Sequence, residues 1–322
     1  MGIKNINKKI KSPLNKTIDF DINSDEYNKF IKNCIIDDES FSYYNFESIK
    51  NKIINGDTFN VLKKIERGIV DLLIVDPPYN IYKNYNGYRF NEKDSDEYEI
   101  YTIKWIEAIL PILKSNSSIY VCCDWKSSLI IGNILSRYFT IQNRITWQRE
   151  KGRGAKQNWK NSMEDIWFCT MSDFYTFNID SVKMRRRVIA PYKENGKPKD
   201  WVETENGNFR DTYPSNFWDD ISIPYWSMPE NTSHPTQKPE KLIAKLILAS
   251  SNENDFIFDP FNGSGTTSVV AKKLGRNYSG IEQNSLYCSW AEYRLKEADM
   301  NKNIQGYIDN IFWERNSVKF NR

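Results

Sequence analysis

Residues Phe256-Ile257-Phe258-Asp259-Pro260-Phe261-Asn262-Gly263-Ser264-Gly265-Thr266-Thr267 decide how this 322-residue chain folds. A short apolar, β-prone run stops at an acid, two glycines follow one residue apart, and a helical pattern then continues to Leu274. Strand, glycine turn and helix in immediate succession aim backbone N–H groups and a helix N-terminus at a ligand, and the glycines let that ligand approach the backbone. Residues 278–282 read as the next strand. Its last residue, Glu282, lies nineteen residues after Gly263, where an acid can accept hydrogen bonds from ribose hydroxyls. Two rival readings lose ground. A phosphate loop needs Gly-Lys-Ser/Thr, but the first lysine after Gly265 is Lys272, and a dinucleotide fingerprint wants a third glycine where Ser268 stands.

Working outward, short apolar runs at 52–55, 70–75, 118–123, 140–147 and 164–170 predict further strands. Helical patterns over about 59–67, 126–138, 238–251, 266–274 and 284–298 alternate with them, Pro239 standing near a first turn. This alternation predicts an α/β fold with a doubly wound, mostly parallel sheet. The run at 70–75 ends directly in Asp76-Pro77-Pro78-Tyr79-Asn80, about 180 residues before the glycine loop. Taken alone, an Asp-Pro-Pro turn is a capped strand end, and a glycine pair is an ordinary connector.

A formal charge of +3 excludes a uniformly basic surface, leaving room for local basic faces. Five cysteines without a CxxC pair suit buried thiols rather than a disulfide framework. The single histidine, His234, argues against histidine-rich metal sites and histidine-based hydrolysis, so no metal is expected. No apolar run reaches membrane-spanning length, and the N-terminus lacks the apolar stretch of a signal peptide; a cytoplasmic location is expected.

Asp259-Pro260-Phe261-x-Gly263-Ser264-Gly265-Thr266-Thr267, preceded by His234-Pro235-Thr236-Gln237-Lys238-Pro239 and combined with the distant Asp76-Pro77-Pro78-Tyr79, resembles the β class of S-adenosylmethionine-dependent DNA amino-methyltransferases. The resemblance implies a seven-stranded methyltransferase sheet with one antiparallel strand and a permuted motif order, with the strands ending at Asp76 and Asp259 side by side. It implies that Asp259, Phe261, Gly263 and Gly265 hold S-adenosylmethionine, and that S-adenosylhomocysteine is the product. Thr266 and Lys238 would lie near the methionine end, Glu282 at the ribose, and Asp57 at the adenine, although an Asp in a turn is also a helix cap. The implied domains are a partly ordered lead-in at 1–50, a catalytic half at 51–147, a target-recognition insertion at 148–233 and a cofactor-binding half at 234–322.

An exocyclic amine is a poor nucleophile because its lone pair is delocalised into the ring. Two acceptors taking its two N–H bonds localise that pair; here they would be the Asp76 carboxylate and the Pro77 carbonyl. Pro77 and Pro78 stiffen the segment, and Tyr79 would stack on a base flipped from the duplex. Asp at the first position goes mostly with N6-adenine in the family. N6-adenine methylation of a specific sequence, in a prokaryotic restriction-modification or epigenetic system, is therefore the expected function. N4-cytosine methylation is the alternative, and an inactive DNA-binding member of the fold is the second.

Double-stranded DNA is the expected partner. Arg149, Lys151, Arg153 and Lys156, interleaved with Trp147 and Trp159, suit a loop along phosphates, and Arg185 and Arg186 belong to a second basic cluster. A cognate restriction endonuclease and a homodimer are further partners consistent with the resemblance, as is a nucleoid-associated location.

Overall fold

The computed structural model describes residues 12–38, 40, 42–85, 87–149, 157–189, 192–205 and 207–315. Nine strands form the main sheet: β1 (Ile35–Ile36), β2 (Lys52–Asn55), β3 (Val70–Val75), β4 (Leu113–Cys123), β5 (Thr140–Gln148), β6 (Met163–Thr170), β7 (Phe217–Trp218), β8 (Phe256–Asp259) and β9 (Asn277–Glu282). Their order is β1-β2-β9-β8-β3-β4-β6-β5-β7. Seven longer strands make the expected sheet, and two-residue strands extend it at both edges. Only β6 runs antiparallel to its neighbours, β4 and β5.

Strands buried on both faces need apolar residues at every position, which is why these runs do not alternate with polar residues. Ile53, Leu72, Ile74, Tyr120 and Cys122 face one core, while Ile54, Leu73, Val75, Ile119 and Val121 face the other. The first core is covered by α5 (Glu240–Ser250), α6 (Thr266–Lys273) and α7 (Ser285–Met300), following α1 (Asp25–Phe30), α2 (Thr58–Leu62), α3 (Ser95–Ile109) and α4 (Trp125–Tyr138) in the chain. Residues of α2, α3 and α4 fill the second core. Helices α2, α3 and α4 thus lie on one face and α5, α6 and α7 on the other, with α1 packed against α7. The winding direction reverses between β3 and β8, which pair in parallel through Ile257↔Leu72 and Phe258↔Leu73. Asp76 and Asp259 end up together on one edge of the sheet, at its switch point.

Several boundaries differ from the sequence reading. Helix α2 stops at Leu62 rather than near residue 67, because the chain turns so that Ile65 bridges Tyr44. Helix α3, capped by Asp94 and burying Tyr98, Thr102, Trp105, Ile106 and Ile109, was not among the expected helices. The stretch 148–233 is not wholly an insertion, since β6 is an inner strand of the main sheet. A separate five-stranded sheet runs in the order 202–204, 207–212, 184–187, 311–313 and 307–308, so the C-terminal segment shares it with the insertion. The lead-in is docked from Lys16, whose N–H donates to the Trp226 carbonyl at 2.7 Å. The Trp290 indole donates to the Phe20 carbonyl at 3.0 Å, the Tyr27 hydroxyl donates to Ser285 Oγ at 3.0 Å, and β1 pairs with β2.

Candidate active site

The two motifs line one open cavity of about 300 Å³ at the C-terminal edge of the sheet, a size within the small-ligand range. Its glycine side is built by close packing. Gly265 caps α6 with φ +80, and a Cβ there would stand 2.5 Å from the Ala291 Cβ; Gly263 has φ +51 and lies under His234. Asp259 accepts from the Phe261 N–H at 3.0 Å and from the Thr267 hydroxyl at 2.6 Å. Glu282 accepts from the Gly263 N–H at 3.0 Å and the Asn284 N–H at 2.7 Å. Burial pushes the Asp259 and Glu282 carboxyls up to about 7 against these donors. Both acids brace the loop while bordering the cavity.

Asp57 serves two ends. Its Oδ1 accepts from the Asn60 N–H at 3.0 Å, capping α2, and its exposed side chain also borders the cavity beside Phe59. Phe261, Tyr287 and Tyr101 add aromatic wall. Thr266 borders the cavity as well, with its hydroxyl already engaged: it donates to the Lys238 carbonyl at 3.2 Å and accepts from Arg294 at 3.0 Å.

In the same cavity lining, Asp76, Tyr79 and Lys238 form one cluster. The Lys238 ammonium lies 2.7 Å from each Asp76 oxygen and 2.9 Å from the Tyr79 hydroxyl, and that hydroxyl donates to Asp76 Oδ1 at 2.9 Å. Burial opposes the charge on Lys238, but Asp76 and Glu164 outweigh it and hold the ammonium above the ordinary lysine value. Burial, reinforced by the same two carboxylates, keeps Tyr79 a phenol. In this state Tyr79 is a buried donor, and Lys238 is engaged with Asp76 by its side chain and with Thr266 by its carbonyl. Pro77 and Pro78 line the cavity, and the Pro78 carbonyl accepts from the Tyr98 hydroxyl at 3.3 Å.

A family model described as DNA methylase matches residues 70–293, from β3 into α7, and so spans both motifs. The chain belongs to the DNA methylase family. Curated relatives of this methylase include the type II methyltransferase M1.MboII of Moraxella bovis, 33% identical over 266 residues that cover 78% of this chain and 98% of the relative. Another is the DNA adenine methyltransferase YhdJ of Escherichia coli (strain K12), 36% identical over 257 residues, 76% of this chain and 83% of the relative. Among solved structures, the M1.HpyAVI-SAM complex is 25% identical with a TM-score of 0.50, covering 76% of this chain and 98% of that one. The cytosine-N4-specific PvuII DNA methyltransferase, at 15% identity and a TM-score of 0.54, shares the fold.

Three of the expected DNA contacts in this methylase, Lys151, Arg153 and Lys156, lie outside the described residues. The structure turns Arg149 inward to pair with Glu164. Arg185 makes a two-pronged pair with Asp211 at 2.7 and 2.8 Å, and Arg186 pairs with Glu314 at 3.4 Å. Both arginines belong to the separate sheet, away from the cavity lining.

Sequence reasoning missed Arg294, Glu240 and Glu164. Arg294 is 3% exposed, donates to the Ser264 carbonyl at 2.8 Å, and pairs with Glu240 at 3.1 Å, tying the glycine loop to α5 and α7. A charge inside a helix reads as surface unless its packing is known; the weak signal available was that Trp290 and Leu295 bracket Arg294 in a stretch that also contains Glu292.

Proposed function

We propose that this protein is a DNA adenine-N6 methyltransferase that uses S-adenosylmethionine. The observation that carries the reading is that the Asp76 carboxylate and the glycine loop from Asp259 to Thr267 line one cavity together with Glu282. The residues present fit the cofactor. Glu282 and Asp57 offer acceptors to a nucleoside, Gly263 leaves the lining bare of a side chain, and Phe261 and Tyr287 supply an aromatic wall for a flat ring. When bound, the cofactor supplies an electrophilic methyl group on its sulfonium. Asp76 and the Pro77 carbonyl would accept the two N–H bonds of the target amine and localise its lone pair on the nitrogen. Asp76 then takes the proton that the methylated nitrogen sheds. An amine within a duplex cannot reach Asp76 in this recess, so the target base must leave the stack.

Adenine is favoured over cytosine by Asp at position 76 and by the relative named as a DNA adenine methyltransferase. The type II names of several relatives support a restriction-modification role with a cognate endonuclease, and their bacterial sources support a cytoplasmic location at the nucleoid. The homodimer is a question for sedimentation. DNA from cells expressing the protein should contain N6-methyladenine by nucleoside mass spectrometry; N4-methylcytosine alone would overturn the choice of base, and neither product would overturn the activity. Asp76→Ala should reduce transfer to background while the cofactor still binds.

A further inference from the structure

Asp76 has two demands on it. In the structure described, the Lys238 ammonium bridges both of its oxygens at 2.7 Å and Tyr79 occupies a third lone pair, yet the reaction needs Asp76 as an acceptor for the amine. An ammonium so placed cancels the charge that should stabilise positive charge growing on the target nitrogen. Lys238 must therefore have somewhere else to go.

The other carboxylate beside it is Glu164, on β6, the strand that runs against the direction of the sheet. Glu164 is 3% exposed, with Oε2 3.5 Å from the Lys238 ammonium and 3.3 Å from the Tyr79 hydroxyl, and its Oε1 is held by Arg149. Cys122, a buried thiol on β4, and Asp259, whose carboxyl feels the Lys238 charge but is held by Thr267 and Phe261, are the remaining titratable groups near Lys238. Glu164 is thus fixed from behind and aimed at the same ammonium, slightly farther from it than Asp76. We propose that Glu164 is a positioning residue that draws Lys238 off Asp76 as the target amine docks, leaving Asp76 charged and open to the substrate. Glu164 touches neither base nor cofactor and acts through Lys238. The inference rests on Asp76 being the amine acceptor.

Charge and shape separate this role from simple packing. Glu164→Gln keeps the shape and removes the charge, whereas Glu164→Asp keeps the charge and shortens the side chain. Single-turnover transfer from tritiated S-adenosylmethionine to DNA free of methylated adenine is measured for the full chain and both variants, together with the Kd of cofactor and of DNA. Glu164→Gln should slow transfer about 10–100-fold, the range for losing an outer partner that orients a functional group, with both Kd values within about twofold of wild type. Glu164→Asp should transfer clearly faster than Glu164→Gln. A Glu164→Gln rate within about twofold of wild type overturns the proposal. So does Glu164→Asp being the slower variant, or Glu164→Gln losing cofactor binding, since either makes the role one of packing. A wild-type chain that binds cofactor but transfers no methyl to DNA would overturn the reading of the site itself, and this inference with it.

Discussion

Gly265 concentrates the local constraints of the cofactor loop in one residue. Its φ of +80 disfavours any side chain, and a Cβ would press into Ala291 at 2.5 Å. Left-handed backbone costs about 1–2 kcal/mol and overpacking about 1–3, so Gly265→Ala should lose roughly 2–5 kcal/mol in urea unfolding, together with cofactor affinity. Glu282 and Asp259 make a prediction about pH. Both carboxyls have folded values raised to about 7, so their contribution to the unliganded fold is fully present below about 4 and is lost as pH rises through about 7. Cofactor binding has the opposite sign, because a ribose needs carboxylate acceptors. Affinity should fall with pH below about 7, by up to about tenfold per unit for each group that must ionise, and calorimetry in two buffers should detect proton release; affinity independent of pH would remove Glu282 from the binding role. At this scale the sequence exposed residues whose chemistry is carried by their type and neighbours, such as Asp76 beside two prolines. Glu164, Arg294 and Glu240 stayed hidden because their roles come from partners distant in sequence, Tyr79 lying 85 residues from Glu164 and Glu240 54 from Arg294.

Helix α2 shows how an element can have two roles at once. Asp57 caps it and also borders the cavity. Asp57→Ala should cost about 1 kcal/mol of stability through loss of the cap, whereas Asp57→Asn should retain the cap and weaken only cofactor binding. Thermal melts with and without S-adenosylmethionine separate the two; ligand-induced stabilisation equal to wild type in both variants would confine Asp57 to capping. The strands were legible because burial on both faces demands unbroken apolar runs, as in Val70–Val75. Helix α3 was not, because its exposed face, with Asp96, Glu97 and Glu99, dilutes the spacing of Tyr98, Thr102, Trp105 and Ile109. The end of α2 was also hidden, since the bridge between Ile65 and Tyr44 that stops it is a tertiary contact.

Across the whole molecule, the separate sheet is joined to the main fold by a buried ionic group. Asp220 holds Lys241 at 2.5 Å and Lys245 at 2.8 Å, with Lys245 4.8 Å from the Trp218 ring centroid and 5.7 Å from that of Phe312. Burial pushes Lys245 down to about 8 and also works against the Asp220 charge, which the two lysines nevertheless hold below the usual carboxylate value. Asp220→Ala strands two buried ammoniums and should destabilise the protein by about 3–5 kcal/mol in urea unfolding, whereas a change below about 1 kcal/mol would mean the lysines relax to water. The order of motifs was readable from the sequence, but the union of residues 307–313 with 184–212 was not, because short two- and three-residue strands carry no period of their own.

The position of β8 between β3 and β9 has a consequence for how the chain is made. β3 leaves the ribosome about 180 residues ahead of the partner that covers one of its edges. At 5–20 residues per second that edge stays bare for roughly 10–40 s, with Leu72, Leu73 and Ile74 awaiting their neighbours. Nascent chains of this protein therefore pass through a long interval in which an apolar strand edge is open to other chains, and truncation before residue 256 leaves it open for good.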